Sequence, residues 1–318
     1  MGESYTLSRR GFVASTGLAV AAAWLMPGHT RAQDDSNDGP VQTIRKGGGS
    51  ATIAVEALRG NVSVLSGSGG NIAVLQGAGG KVMVDSGVSK ANVLAALDGI
   101  GSGPVRYLIN THWHFDHTDG NAWLNAAGAT ILAHENTRRR MAASTRVEGW
   151  NFTFPPAPRG ALPTVGLDAG GTTLHLDDVP ISIASYGPCH TDTDVRVTFP
   201  DADVVHVGDT WWNGHYPFID YSTGGSIDGM IRATSLNVDI VGNDTIAIPG
   251  HGPVGDKRQL IEYRDMLRTI RDAVAALKRQ GRSAAEAIAA NPTAAYDAKW
   301  GTFVISPATF TQLVYAGV

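Results

Sequence analysis

Short apolar runs separated by glycines occupy residues 52–84. Thr52–Leu58, Val62–Leu65, Ile72–Gln76 and Lys81–Val84 each have the length of one strand, and Gly67-Ser68-Gly69-Gly70 and the stretch from Gly77 to Gly80 separate the later ones. Regular short strands with glycine turns predict an antiparallel meander. Beyond residue 88 the period changes. Ser89–Leu97 reads as a helix, Val105–Ile109 as a buried strand, Thr118–Ala127 as a helix, Thr130–Ala133 as a strand and Glu135–Ala143 as a helix. Pro155, Pro156, Pro158 and Pro163 break any pattern, so residues 145–170 are expected to be a loop. Strands are then predicted at Thr172–Leu176, Pro180–Ser185, Asp194–Phe199 and Val204–Val207, with helices at Ser226–Leu236, Asp256–Arg279, Ser283–Ala290 and Pro307–Tyr315. The segment from Ser283 onward carries no motif. Mixed strands and helices over this length predict an α+β architecture, with sheets sandwiched by helices.

The N-terminal part is different. Residues 33–49 are polar and glycine-rich, opening Gln33-Asp34-Asp35-Ser36-Asn37-Asp38-Gly39-Pro40, and read as a flexible linker to a domain over residues 50–318. Before them stand Ser8-Arg9-Arg10-Gly11-Phe12-Val13, an apolar run from Phe12 to Met26, and Thr30-Arg31-Ala32 ahead of Gln33. A charged start, an apolar middle and a small-residue cleavage site make residues 1–32 a signal peptide. Its paired arginines resemble the bacterial twin-arginine signal, which implies export of the folded chain to the periplasm. A permanent membrane anchor is the alternative, but the apolar stretch is short, contains glycine and ends at Pro27. No stable membrane insertion is therefore expected after cleavage.

Composition narrows the picture further. The chain has 318 residues, 43% of them hydrophobic, which is enough for one large core or two modest ones. Its formal charge of −4 becomes −6 once residues 1–32, with three Arg and one Glu, are removed. There is no basic stripe, so nucleic acid is not an expected partner; a small-molecule substrate is. The lone cysteine, Cys189, excludes an internal disulfide, which suits a protein that folds before it reaches an oxidising space. Nothing in the sequence bears on oligomeric state.

The chemistry concentrates after the strand Val105–Ile109, in Asn110-Thr111-His112-Trp113-His114-Phe115-Asp116-His117. Three of the chain's ten histidines and one aspartate fall within six residues. In extended backbone, positions i and i+2 point the same way, so His112 and His114 can grip one ion. A following turn would let Asp116 and His117 face a second. Imidazole and carboxylate suit zinc and similar divalent metals. A structural zinc knot would favour cysteine, and none is nearby; a surface histidine cluster would not follow an apolar strand or interleave Trp113 and Phe115.

The run resembles the His-x-His-x-Asp-His signature of the metallo-β-lactamase superfamily. Other elements of that family stand in order around it: Lys81-Val82-Met83-Val84-Asp85-Ser86-Gly87, Gly187-Pro188-Cys189-His190-Thr191, Val207-Gly208-Asp209 and Ile248-Pro249-Gly250-His251-Gly252. The resemblance covers roughly residues 50–255. It implies a four-layer αββα sandwich holding two divalent ions, zinc first among them. It assigns His112, His114 and His190 to the first ion, Asp116, His117 and His251 to the second, and Asp209 to a bridge. Asp85 would stand behind the ligands and hold a histidine in one tautomer. Two ions ~3.5–4 Å apart can share a water and make it hydroxide near neutral pH, ready to attack an acyl or phosphoryl centre. Asp116 could orient that hydroxide and carry a proton.

Trp113, Trp211, Trp212, Asn213, His215 and Tyr216 are candidate pocket residues, because they lie within the metal motif or on the loop after Asp209. His206, His134 and His175 are expected to be structural, and Cys189 a small buried residue. The ligand pattern also discriminates among functions. The best-known metallo-β-lactamases resemble one another in a cysteine where this chain has Asp209, in lacking a ligand at the position of His117, and in a lysine shortly after that cysteine. Here Trp211-Trp212-Asn213-Gly214 follows instead. Asp209 together with His117 is similar to glyoxalase-II-type thioesterases and lactonases. The expected activity is hydrolysis of an ester, lactone, thioester or amide in the periplasm. A true β-lactamase and a metal-binding accessory protein without turnover are the alternatives, and a phosphodiesterase ranks lower.

Overall fold

The computed structural model describes residues 39–168 and 170–318. The signal peptide expected over residues 1–32, and the start of the expected linker, lie outside the described residues.

The glycine-separated runs form the meander. Strands β1 (Ala54–Ala57), β2 (Val62–Ser66), β3 (Ile72–Gly77) and β4 (Gly80–Val84) pair antiparallel in sequence order. β5 (Val105–Ile109), β6 (Thr130–His134) and β9 (Val165–Leu167) then continue the sheet in parallel, giving seven strands. A second sheet has β10 (Thr172–Leu176), β11 (Val179–Ser185), β12 (Val195–Phe199) and β13 (Val204–His206) antiparallel, and β14 (Ile246–Ile248) parallel to β13.

The period of two along the strands decides which face each residue serves. Ala73 and Leu75, Val82 and Val84, and Ile109 point between the sheets, where they meet Ile181, Ile183, Val195, Val197, Phe199, Val204 and Ile248 of the second sheet. Their neighbours Ile72, Val74, Met83, Leu108 and Ile131 point outward and pack on helices α2 (Lys90–Ile100) and α4 (Asn121–Ala126) through Val93, Leu97 and Leu124. On the opposite side Val205 and Ala247 pack on α6 (Ile227–Ile240) and α7 (Lys257–Arg279), through Met230, Leu260 and Leu267. The result is helix, sheet, sheet, helix. Side-chain caps start the flanking helices: Ser89 for α2, Ser226 for α6, and Asp256 for α7 in a reciprocal box with Gln259. Among the described residues no helix is long and apolar enough to cross a membrane.

Two expectations need correction. Within the expected linker, Pro40–Ser50 is a helix, α1, despite Gly47, Gly48 and Gly49. Tertiary contacts override the weak propensity: Val41 is fully buried, Arg45 makes a two-pronged pair with Asp119 at 2.6 and 2.9 Å, and a Cβ at Gly48 would strike Val88. The expected loop over residues 145–170 holds a hairpin of β7 (Thr145–Val147) and β8 (Phe152–Phe154) as well as β9. Each of these strands is three residues long, too short for periodicity to register, and the prolines fall between β8 and β9 rather than inside either. Short elements were also missed later, at β14 and at α9 (Asp297–Trp300).

The motif-free C-terminal segment belongs to the outer helical layer. After α8 (Ala284–Ala289), α10 (Pro307–Gly317) buries Phe310 and Val314, and the Phe310 ring stacks on Tyr216 with centroids 4.7 Å apart. Phe310→Ala should therefore cost about 3–5 kcal/mol, measured by urea unfolding; a loss within experimental error would show that α10 is not part of the cooperative fold.

Candidate metal centre

The strand ends gather the chemistry. β4 and β5 are parallel, so Asp85 after one and His112 after the other leave the sheet at the same edge. There they meet His190 from the turn between β11 and β12, Asp209 after β13 and His251 after β14. Two groups result: His112, His114, His190 and Asp209, and beside them Asp116, His117 and His251. All seven ligands expected from the sequence are thus brought together. Asp209 reaches both groups, at 3.9 Å from His112 Nε2, 3.4 Å from His190 Nε2, 3.1 Å from His117 Nε2 and 3.4 Å from His251 Nε2.

The outer hydrogen bonds assign the tautomers. Asp85 is fully buried and accepts from Thr111 N, Thr111 Oγ1 and His117 Nδ1, each at 2.7 Å. Because the Thr111 hydroxyl gives its proton to Asp85, it accepts from His112 Nδ1 at 3.0 Å. His190 Nδ1 donates to the Phe218 carbonyl at 2.9 Å, and His114 Nε2 donates to Asp220 Oδ2 at 3.1 Å. Each ring has therefore spent its N–H outward and turns a lone pair inward. His114 Nδ1 and His190 Nε2 face each other at 3.0 Å. His112 Nε2, His117 Nε2 and Asp209 Oδ1 are buried without a hydrogen-bond partner. Buried polar atoms are normally satisfied, and lone pairs converging on carboxylates are satisfied by a cation. The donor set fits divalent metal ions, with His112 Nε2, His114 Nδ1, His190 Nε2 and Asp209 around one and Asp116, His117 Nε2, His251 and Asp209 around the other.

Electrostatics agree. Burial alone would raise the Asp209 carboxyl, but the imidazoles of His251, His117 and His112 outweigh it and hold the group well below the usual carboxylate range. Burial opposes charge on His117, yet Asp209, Asp116 and Asp85 push it well above its ordinary value, and the same contest brings His251 up to about 9. His112 is pushed well down, and His190 down to about 4, chiefly by burial. The basin attracts positive charge at the second group and keeps His112 and His190 of the first neutral, the form that ligates metal.

Backbone geometry is fitted to these side chains. Asp85 sits at φ 64°, a left-handed conformation that costs a non-glycine residue about 1–2 kcal/mol and that turns the chain sharply out of β4. A Cβ at Gly70 would strike the His117 ring, and one at Gly250 the Asp209 carboxylate. His206 takes the structural part expected of it: Nε2 donates to the Asn71 carbonyl at 3.0 Å, joining the second sheet to the β2–β3 turn. His134 caps α5 (Glu135–Ala142), and His175 is an exposed strand residue. Cys189 is buried and bonds Asp194 at 3.1 Å.

The candidate pocket residues divide. Trp212, buried at 5% exposure, still lies 4.2 Å from the His251 ring, and only His215 is half-buried at the same edge. Trp211, Asn213 and Tyr216 are buried as well: Tyr216 stacks on Phe310, and Asn213 bonds Pro253 and the His251 carbonyl, so these three support the wall rather than line it. Trp113 also packs behind His114, its indole N–H on Thr223 Oγ1. Sequence reasoning missed Asp220, which lies 106 positions from the histidine it holds and accepts from Ser222 and Thr223 as well. It also missed Trp150 and Phe218, which stack 4.9 Å apart beside His114. No spacing signal marks any of these; only the fold brings them near.

A family profile described as the metallo-beta-lactamase superfamily matches residues 65–276, two-thirds of the chain. The chain belongs to the metallo-beta-lactamase superfamily. Solved structures agree on the fold. The DIM-1 metallo-beta-lactamase is 22% identical with a TM-score of 0.56, over 69% of this chain and 98% of that one. A metallo-beta-lactamase from Pontibacter korlensis is 19% identical at 0.54, over 68% and 99%. A double mutant of the sec-alkyl sulfatase PisA1 is 15% identical at 0.63, over 83% of this chain and 50% of that one. These identities carry the fold and not the substrate.

Removing the Asp220 carboxylate frees the His114 ring to turn. Asp220→Ala should weaken binding at the first group about 10–100-fold, read by competition with a chromophoric chelator in a variant whose circular dichroism is unchanged. Undiminished affinity would show that His114 is oriented by packing alone.

Proposed function

We propose that this protein is an exported, metal-dependent hydrolase that cleaves an acyl bond in an ester, lactone, thioester or amide. The observation that carries the reading is the pair of ligand groups sharing Asp209, with the free ring nitrogens of His112, His114, His117 and His190 turned inward. Bound there, two divalent ions, zinc by the chemistry of the donors, would acidify a water and polarise the attacked carbonyl.

The chain supplies the rest. Asp116 is the carboxylate at the accessible side, its side chain 10% exposed, with Oδ2 3.3 Å from His251 Nε2 and 3.6 Å from His117 Nε2. Burial would raise its carboxyl, but His117 and His251 bring it below its ordinary value, so it is ionised at neutral pH. It can accept the proton of the attacking water at Oδ2 and return it to the leaving group. Asp85 and Asp220 fix the ligand rings, so that no reorganisation is needed as charge develops. Trp113, Phe154 and Trp150 cover the His114 side and limit water there.

A β-lactamase is the second reading, favoured by the names of several structural relatives and by the export signal. Asp209 at the bridging position and the absence of a lysine in Trp211-Trp212-Asn213-Gly214 weigh against it. The measurement is kcat/KM of the metal-loaded mature protein on a lactone, a thioester, a β-lactam and an alkyl sulfate. A lactone or thioester above ~10⁴ M⁻¹s⁻¹ with the β-lactam at trace level is the expected result. The reverse order would make this an antibiotic hydrolase, and full metal occupancy with no turnover would make it an accessory protein. Asp116→Asn should cut kcat by about 10²–10⁴-fold per fully loaded molecule, with occupancy followed by elemental analysis because Asp116 is also a ligand of the second group; full activity would exclude its proton-transfer role.

Export rests on Arg9 and Arg10 ahead of the apolar run. Replacing both with lysine should leave uncleaved chain in the cytoplasm, followed by fractionation and mass spectrometry. A mature N-terminus still appearing in the periplasm would point to a different export route.

A further inference from the structure

Phe303 is a large aromatic side chain left open to solvent. It is 46% exposed, one of five large apolar side chains so exposed among the described residues, yet its flanks are held firmly. On one side Trp300 is 1% exposed and its carbonyl accepts from Tyr216 N at 2.8 Å; on the other Ile305 is 2% exposed. Tyr216 is itself fixed, its hydroxyl donating to Asp297 Oδ1 at 2.9 Å. The segment is thus pinned at both ends and offers one aromatic ring at its tip. That ring stacks on His215 with centroids 4.4 Å apart, and lies 6.3 Å from Trp212 and 6.4 Å from His251.

Aromatic surface therefore adjoins the metal ligands at the accessible end of the second group, beside His251. The ligands' own ionic contacts come from within the cluster and from Asp85 and Asp220. Phe303 and the half-buried His215 offer ring area at this end. An apolar group laid on Phe303 and His215 would be removed from water while its acyl carbon reached the ligand groups, and such burial stabilises in proportion to area.

We propose that Phe303 is a specificity-determining residue and that the substrate carries an aromatic or extended alkyl group, which lies on the surface formed by Phe303 and His215, with the buried Trp212 beneath. The proposal rests on the acyl-hydrolase reading for its reaction, but not for its binding surface. The C-terminal segment, which carries no recognisable motif, thereby acquires a part in substrate choice.

The test compares the metal-loaded mature protein with its Phe303→Ala and Phe303→Trp variants on acetyl, butyryl and octanoyl p-nitrophenyl esters. In the parent, kcat/KM rises with chain length. Phe303→Ala lowers the octanoyl ester about tenfold and leaves the acetyl ester within about twofold, and Phe303→Trp restores the longer ester. An equal loss on all three esters, or no dependence on chain length in the parent, overturns the proposal. Calorimetric titration with octanoate and acetate reads the same surface without turnover: octanoate binds more tightly, and Phe303→Ala removes about tenfold of that advantage. If no ester is cleaved, the hydrolase reading fails while this titration still decides the role of Phe303; octanoate no tighter than acetate overturns it.

Discussion

One buried carboxylate ties the two halves of the metal centre together. Asp85 accepts two hydrogen bonds from Thr111, which backs His112 of the first ligand group, and one from His117 of the second. A charged group with no exposure to water must have its lone pairs filled, and here they are filled by the residues whose orientation matters most. The cost is a left-handed backbone at Asp85, sustained because a neighbouring parallel strand and the turn beyond it hold the chain on both sides. The Asp85 amide donates to Ile109 at 2.8 Å and the Ser86 amide to the His117 carbonyl at 2.9 Å.

From that anchor the logic spreads outward. Ring nitrogens that have donated to Asp85, Thr111, Asp220 or Phe218 have only acceptors left to show the basin. Acceptors crowded together without donors need a cation. The same geometry explains why glycine stands at positions 70 and 250: the rings and carboxylates lie against backbone, and any side chain there would displace a ligand. The two sheets matter to function chiefly because parallel pairing puts several strand ends at one edge, where loops from distant parts of the sequence converge.

The aromatic surroundings follow a different principle. Trp150 and Phe218 next to His114, and Trp212, His215 and Phe303 next to His251, come from three separate stretches of chain, at Trp150, at 212–218 and at Phe303. None touches another through regular secondary structure. Such surfaces vary without disturbing the ligand geometry, which is how one metal-binding frame can serve different substrates.

The sequence by itself determined the elements with a strong period and the ligands with a strong spacing. The glycine-punctuated meander, the buried strand Val105–Ile109 and the long capped helix Lys257–Arg279 are legible because their patterns repeat over many residues. The run from His112 to His117 is legible because metal chemistry demands several ligands in a few positions, and His190, Asp209 and His251 through a resemblance carried by short motifs. Tertiary structure alone decided the remainder. The helix at Pro40–Ser50 exists through Val41 and the Arg45–Asp119 pair rather than through propensity. Strands of three residues exist because neighbours supply their hydrogen bonds. Asp220 and Phe303 belong to the site because folding brings them there, and Trp211 and Tyr216, though next to it in sequence, are turned into the core. Local pattern reports what a segment can bury; which side chains then face one another across the fold is settled only when the layers pack.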